Sequence, residues 1–331
     1  MPTSLTPFLH KTMERLVERF LRDEILALKP LYPNQHAYQA GKSVEMALHQ
    51  LVVWVEKALD QQEIALGVFL DIGAFNNTSY DSMCAALARH GVDYTIVQWN
   101  RATMEGRLAT TALGGDSRSV AVSRGCPQGG VLSPLLWCLV VNELLSRLND
   151  GGVYSQGYGD DICLLVVGKF PNTVSGLIQW ALHTVDTWCD RLGLLVNSDK
   201  TGLVAFMRRK LPGFFEPCLY GTTLHCSTSV KYLGVILDSR LNWTEHVDVR
   251  VQKAQNLLWA CRRAYGVGWY NYHFLQLFAE PLLPSWFGLL VIDVCDAHGW
   301  LSMSYSGAFT QHLALVGRIH DADRSSRPRS D

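Results

Sequence analysis

The sequence predicts an α+β fold, an antiparallel sheet backed by helices. Three observations carry that expectation. Residues 153–157 and 162–167 read as two strands joined by Tyr158-Gly159-Asp160-Asp161, a Gly-Asp turn that folds them into a hairpin. Ile64 to Asp71 is a near-continuous apolar run ending on an acid, the pattern of a strand buried on both faces. Around these strands, segments 9–28, 44–59, 80–90, 93–104, 135–148, 173–192 and 243–265 have helical periodicity or helix-end signals.

Composition sets the outer bounds. The 331 residues, 48% hydrophobic and 18% charged, describe a globular chain with room for two domains, or one fold with an appendage. A formal net charge of −1 gives no whole-molecule pull toward nucleic acid, so such contacts must come from local patches. Nine cysteines without a C-x-x-C pair argue against zinc ribbons and suit reduced thiols inside a cell. The first residues carry no signal pattern, and the late apolar stretch from Trp286 to Val294 is short and broken by Asp293. An intracellular protein without a membrane span is expected.

In chain order, the first helix places Met13, Leu16, Val17, Phe20, Leu21 and Ile25 on an apolar face, with Glu14 among the solvated charges opposite. Gly41-Lys42-Ser43 lacks the earlier glycine of a phosphate loop; Ser43 reads instead as the N-cap of the helix from Val44. The cluster Asn76-Asn77-Thr78-Ser79 leads into the helix from Tyr80, and a hairpin is expected around Gly114-Gly115-Asp116. Ser123 to Pro134 is Gly-rich, and Ser133-Pro134 reads as N-cap and N1 of a helix that is apolar nearly all round. Gly193 closes the helix that follows the acidic hairpin. Residues 219–224 and 229–238 read as two single strands, and Arg250, Lys253, Arg262 and Arg263 make the last helix basic. Residues 321–331 read as a disordered tail.

The chemistry-bearing residues are few. Asp160 and Asp161 are adjacent carboxylates on a hairpin tip, and Asp71 is an acid at the end of a buried strand. Close acids repel unless a cation lies between them, which points to Mg²⁺. The tetrapeptide alone suits an exposed hairpin turn equally well. Gly125, Gly129 and Gly130 allow close backbone approach to a ligand, with Arg124 and Gln128 as polar groups beside them.

Taken together these stretches resemble the palm and fingers of reverse transcriptases, most closely those of jockey-like non-LTR retrotransposons. The residues that carry the resemblance are Leu70-Asp71 with Ala74-Phe75-Asn76, Arg124 to Pro134, Tyr158-Gly159-Asp160-Asp161, Gly193-Leu194 with Asn197 and Lys200-Thr201, and Tyr232-Leu233-Gly234-Val235. The resemblance implies a polymerase palm with helical fingers over residues 1–238, the start of a truncated thumb at 239–265, and an unrelated extension at 266–331. It implies RNA-directed DNA polymerase activity, with RNA template, DNA primer and dNTPs as partners. Asp71, Asp160 and Asp161 would hold two Mg²⁺ ions, with Mn²⁺ as an alternative. Phe75 would pack under the incoming sugar, Gln128 would lie along the new base pair, and Lys200 would stand near the triphosphate as a proton donor. Tyr158 belongs to the same substrate set; Arg124 and Lys42 would help with phosphates, and Tyr232-Leu233-Gly234 would form the primer grip.

This chain also departs from the family pattern. Three residues, Ile72, Gly73 and Ala74, separate the first acid from the aromatic where four are usual. Strand side chains alternate, so the shortening should turn Asp71 or Phe75 the wrong way unless a bulge absorbs it. Gly159 replaces a commoner alanine. The chain opens inside the first fingers block and reads as a fragment of a retrotransposon polyprotein. Impaired activity is expected of this copy, and a catalytically inactive, nucleic-acid-binding remnant of the same fold is the alternative.

Overall fold

Ile64–Asp71 forms the central strand β1, buried at every position but its last. The structure, a computed structural model, describes residues 8–73, 77–113, 116–127, 129–209, 213 and 215–265. The chain divides into two units, Met1–Arg250 and Val251–Asp331. Of the second, only the run of helix to Tyr265 is described, so the expected 266–331 extension lies outside the described residues.

In the first unit, β5 (Asp161–Gly168) pairs antiparallel with one side of β1, and β6 (Gly202–Phe206) with the other. β4 (Tyr154–Tyr158) joins β5 through the acidic turn, and short β9 (Cys226–Ser227) adds in parallel to β6. The order is β4-β5-β1-β6-β9. A separate hairpin, β2 (Leu108–Leu113) with β3 (Asp116–Ala121), forms where Gly114-Gly115 predicted one.

The helices at Ser43 and Ser79 start where their caps predict, and Asp93, read as the first residue of its helix, caps it instead. Ser43 accepts the Met46 N–H at the head of α3 (Val44–Asp60), Ser79 accepts that of Ser82 at α4 (Tyr80–Arg89), and Asp93 that of Thr95 at α5 (Tyr94–Glu105). α7 (Pro171–Leu192) ends on Gly193 in the left-handed conformation. Ser133 is an exception. It is the first residue of α6 (Ser133–Asp150), and its hydroxyl donates to the Pro127 carbonyl, 2.9 Å away, instead of capping the helix.

Two expectations about local structure are corrected. Residues 219–224 and 229–238 are not single strands. Each folds back as a hairpin, β7 (Cys218–Leu219) with β8 (Thr222–Thr223), and β10 (Ser229–Tyr232) with β11 (Val235–Asp238). Tyr220-Gly221 and Leu233-Gly234 both take positive φ at two successive residues, the turn that suits strand twist.

The second correction concerns α1 (Phe8–Phe20), which runs through a π turn at Leu21–Ile25 into α2 (Leu26–Leu28). Glu14, expected in solvent, is 1% exposed, whereas Leu16 is 60% exposed. The Glu14 carboxylate accepts the Val131 N–H at 2.9 Å, so a polar partner makes its burial tolerable, while Leu21, Val17 and Ile25 turn to the core as expected.

Alternation divides the sheet into two faces. Leu66, Val68, Leu70 and Ile72, with Ile162, Leu164, Val166, Leu203 and Ala205, join residues of α4, α5, α6 and α7 in the main core. The opposite face carries Phe69, Cys163, Val204 and Phe206, with α3 packed against it. Tyr232 of β10 lies on that face too, its ring 5.0 Å from that of Phe69.

The burial of Glu14 is testable. Replacing Glu14 by Ala strands a buried N–H and should lower stability by about 2 kcal/mol. Leu16→Ala should stay within about 0.5 kcal/mol. Denaturant melts of both variants check this, and equal losses would contradict the burial of Glu14.

Candidate active site

Asp71, the last residue of β1, stands directly opposite Asp161, the first of β5. Directly opposed residues of an antiparallel pair send their side chains to one face, roughly 5 Å apart. Tyr158 of β4 opposes Asp161 from its other side. Beyond Asp71, the Lys200 ammonium donates to Oδ2 of Asp71 at 2.5 Å. Tyr158, Asp161, Asp71 and Lys200 thus form one row across the end of the sheet. Asp160 sits exposed at the hairpin tip beside it.

The backbone of this row is held from several directions. Asp71 O accepts the Asn197 N–H at 2.9 Å, and Asp160 O accepts that of Ile72 at 3.0 Å. The indole Nε1–H of Trp137 donates to Gly159 O at 2.6 Å. Gly159 has φ +64, in the left-handed region where an alanine is strained, so glycine suits this turn.

The electrostatics follow from proximity. Burial first, then the charges of Asp160 and Asp71, together push the Asp161 carboxyl up to about 6, with Lys200 acting against them. The bond to Asp71 in turn raises the Lys200 ammonium above its ordinary range. Side-chain exposures of 66% for Lys200 and 20% for Asp71 make this a pair that water screens.

The short spacing after Asp71 has not turned that acid away, since its register partner is Asp161. Phe75 falls in 74–76, outside the described residues, and so does Gln128. The loop around Gln128 is anchored on both sides. Gly125 N–H donates to Thr78 O at 2.8 Å, the Arg107 guanidinium donates to Gly125 O and Tyr80 Oη, and Glu14 holds Val131. Two predicted phosphate contacts point elsewhere. Arg124 lies near Gly193 O, 3.4 Å away, at the end of α7. The Lys42 ammonium donates to the carbonyls of Pro33 and Gln35. Burial lowers its proton affinity, so a neutral carbonyl pair is a compatible setting.

Three contributors were not singled out by the sequence reading. Arg107 and Glu14 act through loop backbone that no pattern reveals. Tyr38 is the third: a Cβ built on Gly159 would lie 3.7 Å from its hydroxyl. Burial and the Asp160 charge both raise the Tyr38 phenol.

Whether these residues fit a divalent ion turns on donor chemistry and convergence. Three neighbouring carboxylates are the hard oxygen donors such an ion takes. Among the described residues, however, no three acidic, His or Cys side chains are drawn together as a ready ion-holding group. The acids supply ligands without a closed cage.

An acid pair ending two adjacent antiparallel strands, backed by helices and flanked by a lysine, defines a polymerase palm. Comparison with known proteins agrees with that class. Residues 1–237 match the family model described as "Reverse transcriptase (RNA-dependent DNA polymerase)", and the chain belongs to that family. It is 28% identical over 281 residues to the "Probable RNA-directed DNA polymerase from transposon BS" of Drosophila melanogaster, covering 79% of this chain and 30% of that protein. It is 27% identical over 312 residues to the polymerase from transposon X-element of the same fly, covering 90% and 33%. Against the polymerase from mobile element jockey of Drosophila funebris it is 29% identical over 256 residues, covering 74% and 27%. The chain therefore spans about a third of the length of these relatives. Among solved structures, apo telomerase from Candida tropicalis, truncated from its C-terminal domain, aligns with a TM-score of 0.49 at 10% identity, covering 70% of this chain and 43% of that one. No helix among the described residues is long and apolar enough to cross a membrane.

The raised Asp161 carboxyl makes a signed prediction. Its ionised form is penalised in the fold; the penalty is full above about pH 6, fades as pH falls through that value, and is gone below about pH 4. Asp161→Asn should therefore raise Tm at pH 8 and leave it unchanged near pH 4. Thermal melts at the two pH values check this, and an equal effect at both would contradict it.

Proposed function

We propose that this chain is the catalytic domain of an RNA-directed DNA polymerase, adding deoxynucleotides to a primer 3′-hydroxyl on an RNA template. The observation that carries the reading is the opposition of Asp71 and Asp161 across β1 and β5, with Asp160 beside them and Lys200 in reach. These three acids would hold the divalent metal, Mg²⁺ or Mn²⁺. Bound there, the metal supplies activation of the primer hydroxyl and charge neutralisation at the leaving pyrophosphate.

The remaining work falls to the chain itself. Once its carboxylate partner is engaged elsewhere, the exposed Lys200 ammonium is available to a triphosphate and can give a proton to the departing pyrophosphate. Phe75 is assigned the exclusion of a 2′-hydroxyl, Gln128 the contact along the nascent base pair, and Tyr158 a place beside the acids in the substrate row. Residues 1–238 constitute fingers and palm, and 239–265 the start of a thumb. Within it, the Arg250 guanidinium donates to Gly234 O, linking this helix, α8 (Thr244–Tyr265), to the β10–β11 hairpin.

Two observations favour a second reading, a nucleic-acid-binding remnant without activity: among the described residues no three acidic, His or Cys side chains form a metal-holding group, and Asp71 is engaged by Lys200. Primer extension on poly-rA/oligo-dT with Mg²⁺ separates the two. The polymerase reading expects incorporation that falls roughly a thousandfold in Asp71→Ala and Asp161→Ala. Salt-sensitive binding of the duplex with no incorporation would establish the remnant.

A further inference from the structure

Trp137 lies in the second turn of α6 and is 1% exposed. A buried indole needs an acceptor for its N–H. Trp137 finds one in the carbonyl of Gly159, 2.6 Å away, the residue immediately before the two acids. The next carbonyl, that of Asp160, is taken by the N–H of Ile72, the residue immediately after Asp71. Consecutive carbonyls of the acidic turn are thus held by different elements, one by a core side chain and one by the central strand.

A two-residue turn built on a left-handed glycine has little steric constraint of its own. Its peptide planes can rock, and with them the Cα–Cβ directions of Asp160 and Asp161. The two anchors remove that freedom. The donor is itself steadied: the Trp137 ring meets that of Trp188 edge-on, with centroids 6.4 Å apart and planes at 66°. Burial at this point of an apolar helix asks only for bulk, which phenylalanine would nearly supply. Only the indole supplies the N–H.

We propose that Trp137 is a positioning residue for the acidic turn, fixing Asp160 and Asp161 against Asp71 through its bond to the Gly159 carbonyl. The proposal rests on the reading of those acids as metal holders. It concerns how the set is aligned, and Trp137 touches no reacting atom.

The test is Mn²⁺ binding, followed by electron paramagnetic resonance of the free ion. It uses the unmutated chain, Trp137→Phe, and Asp161→Asn as the variant lacking a ligand. Trp137→Phe should weaken Mn²⁺ binding about tenfold while Tm changes by only a few degrees, and primer extension should lose kcat with duplex affinity unchanged. Mn²⁺ binding equal to that of the unmutated chain, with or without a lower Tm, would reduce Trp137 to packing and overturn the proposal. Should Trp137→Phe not fold, the indole N–H resonance of the unmutated chain decides. Slow hydrogen exchange and a shift on adding Mg²⁺ support the anchor; fast exchange or no shift overturns it. Equal Mn²⁺ binding by the unmutated chain and Asp161→Asn would overturn the reading of the acids as well, a result distinct from a failure confined to Trp137.

Discussion

The register between β1 and β5 is the constraint on which everything else in this molecule depends. Because side chains alternate, a slip of one residue would send Asp71 to the main-core face and leave Asp161 without an opposed acid. What fixes the register is apolar packing well away from the chemistry. Leu66, Val68, Leu70 and Ile72 are each 2% exposed or less, and they lock against helices on the face opposite the acids. A slipped strand would have to turn them toward the Phe69 face. The cost of moving four such side chains is several times about 1.5 kcal/mol, more than the repulsion of two carboxylates in partial contact with water. The core therefore holds together charges that would otherwise part.

A second theme is polar groups acting across long sequence distances. Glu14 reaches Val131 across 117 positions, and Arg107 reaches Gly125 across 18. Each satisfies backbone that a Gly-rich loop leaves unpaired by helix or sheet. Such contacts hold the loop backbone from outside, alongside the loop's own bonds from Ser133 to Pro127 O and from Arg124 to Gly193 O. The same logic holds at the acidic turn, where Gly159 O and Asp160 O are both satisfied from outside the hairpin.

Much of this was legible in the sequence. Capping side chains at Ser43 and in the cluster ending at Ser79 marked helix starts because a cap is a local event, written within three residues. The strand ending on Asp71 and the hairpin around Gly159-Asp160 were readable from apolar runs and turn chemistry. The misreadings share one cause: tertiary partners overrode local pattern. Glu14 looked solvated because its partner is far away in sequence. Ser133 looked like a cap because Ser-Pro usually is one, yet Pro127 O competes for its hydroxyl. The hairpins at 220–221 and 233–234 were missed because Tyr and Leu at the first turn position hide a φ that glycine alone would advertise. The partners of Lys42 and Arg124 were beyond reach, since a cation carries no trace in the sequence of which carbonyl it will meet.

Crystals soaked in Mn²⁺ and measured for anomalous scattering address the central claim most directly. The account predicts metal density bridging the carboxylates of Asp71 and Asp161, with the Lys200 ammonium displaced from Asp71. Density elsewhere, or Asp71 still bound to Lys200 at saturating Mn²⁺, would contradict it.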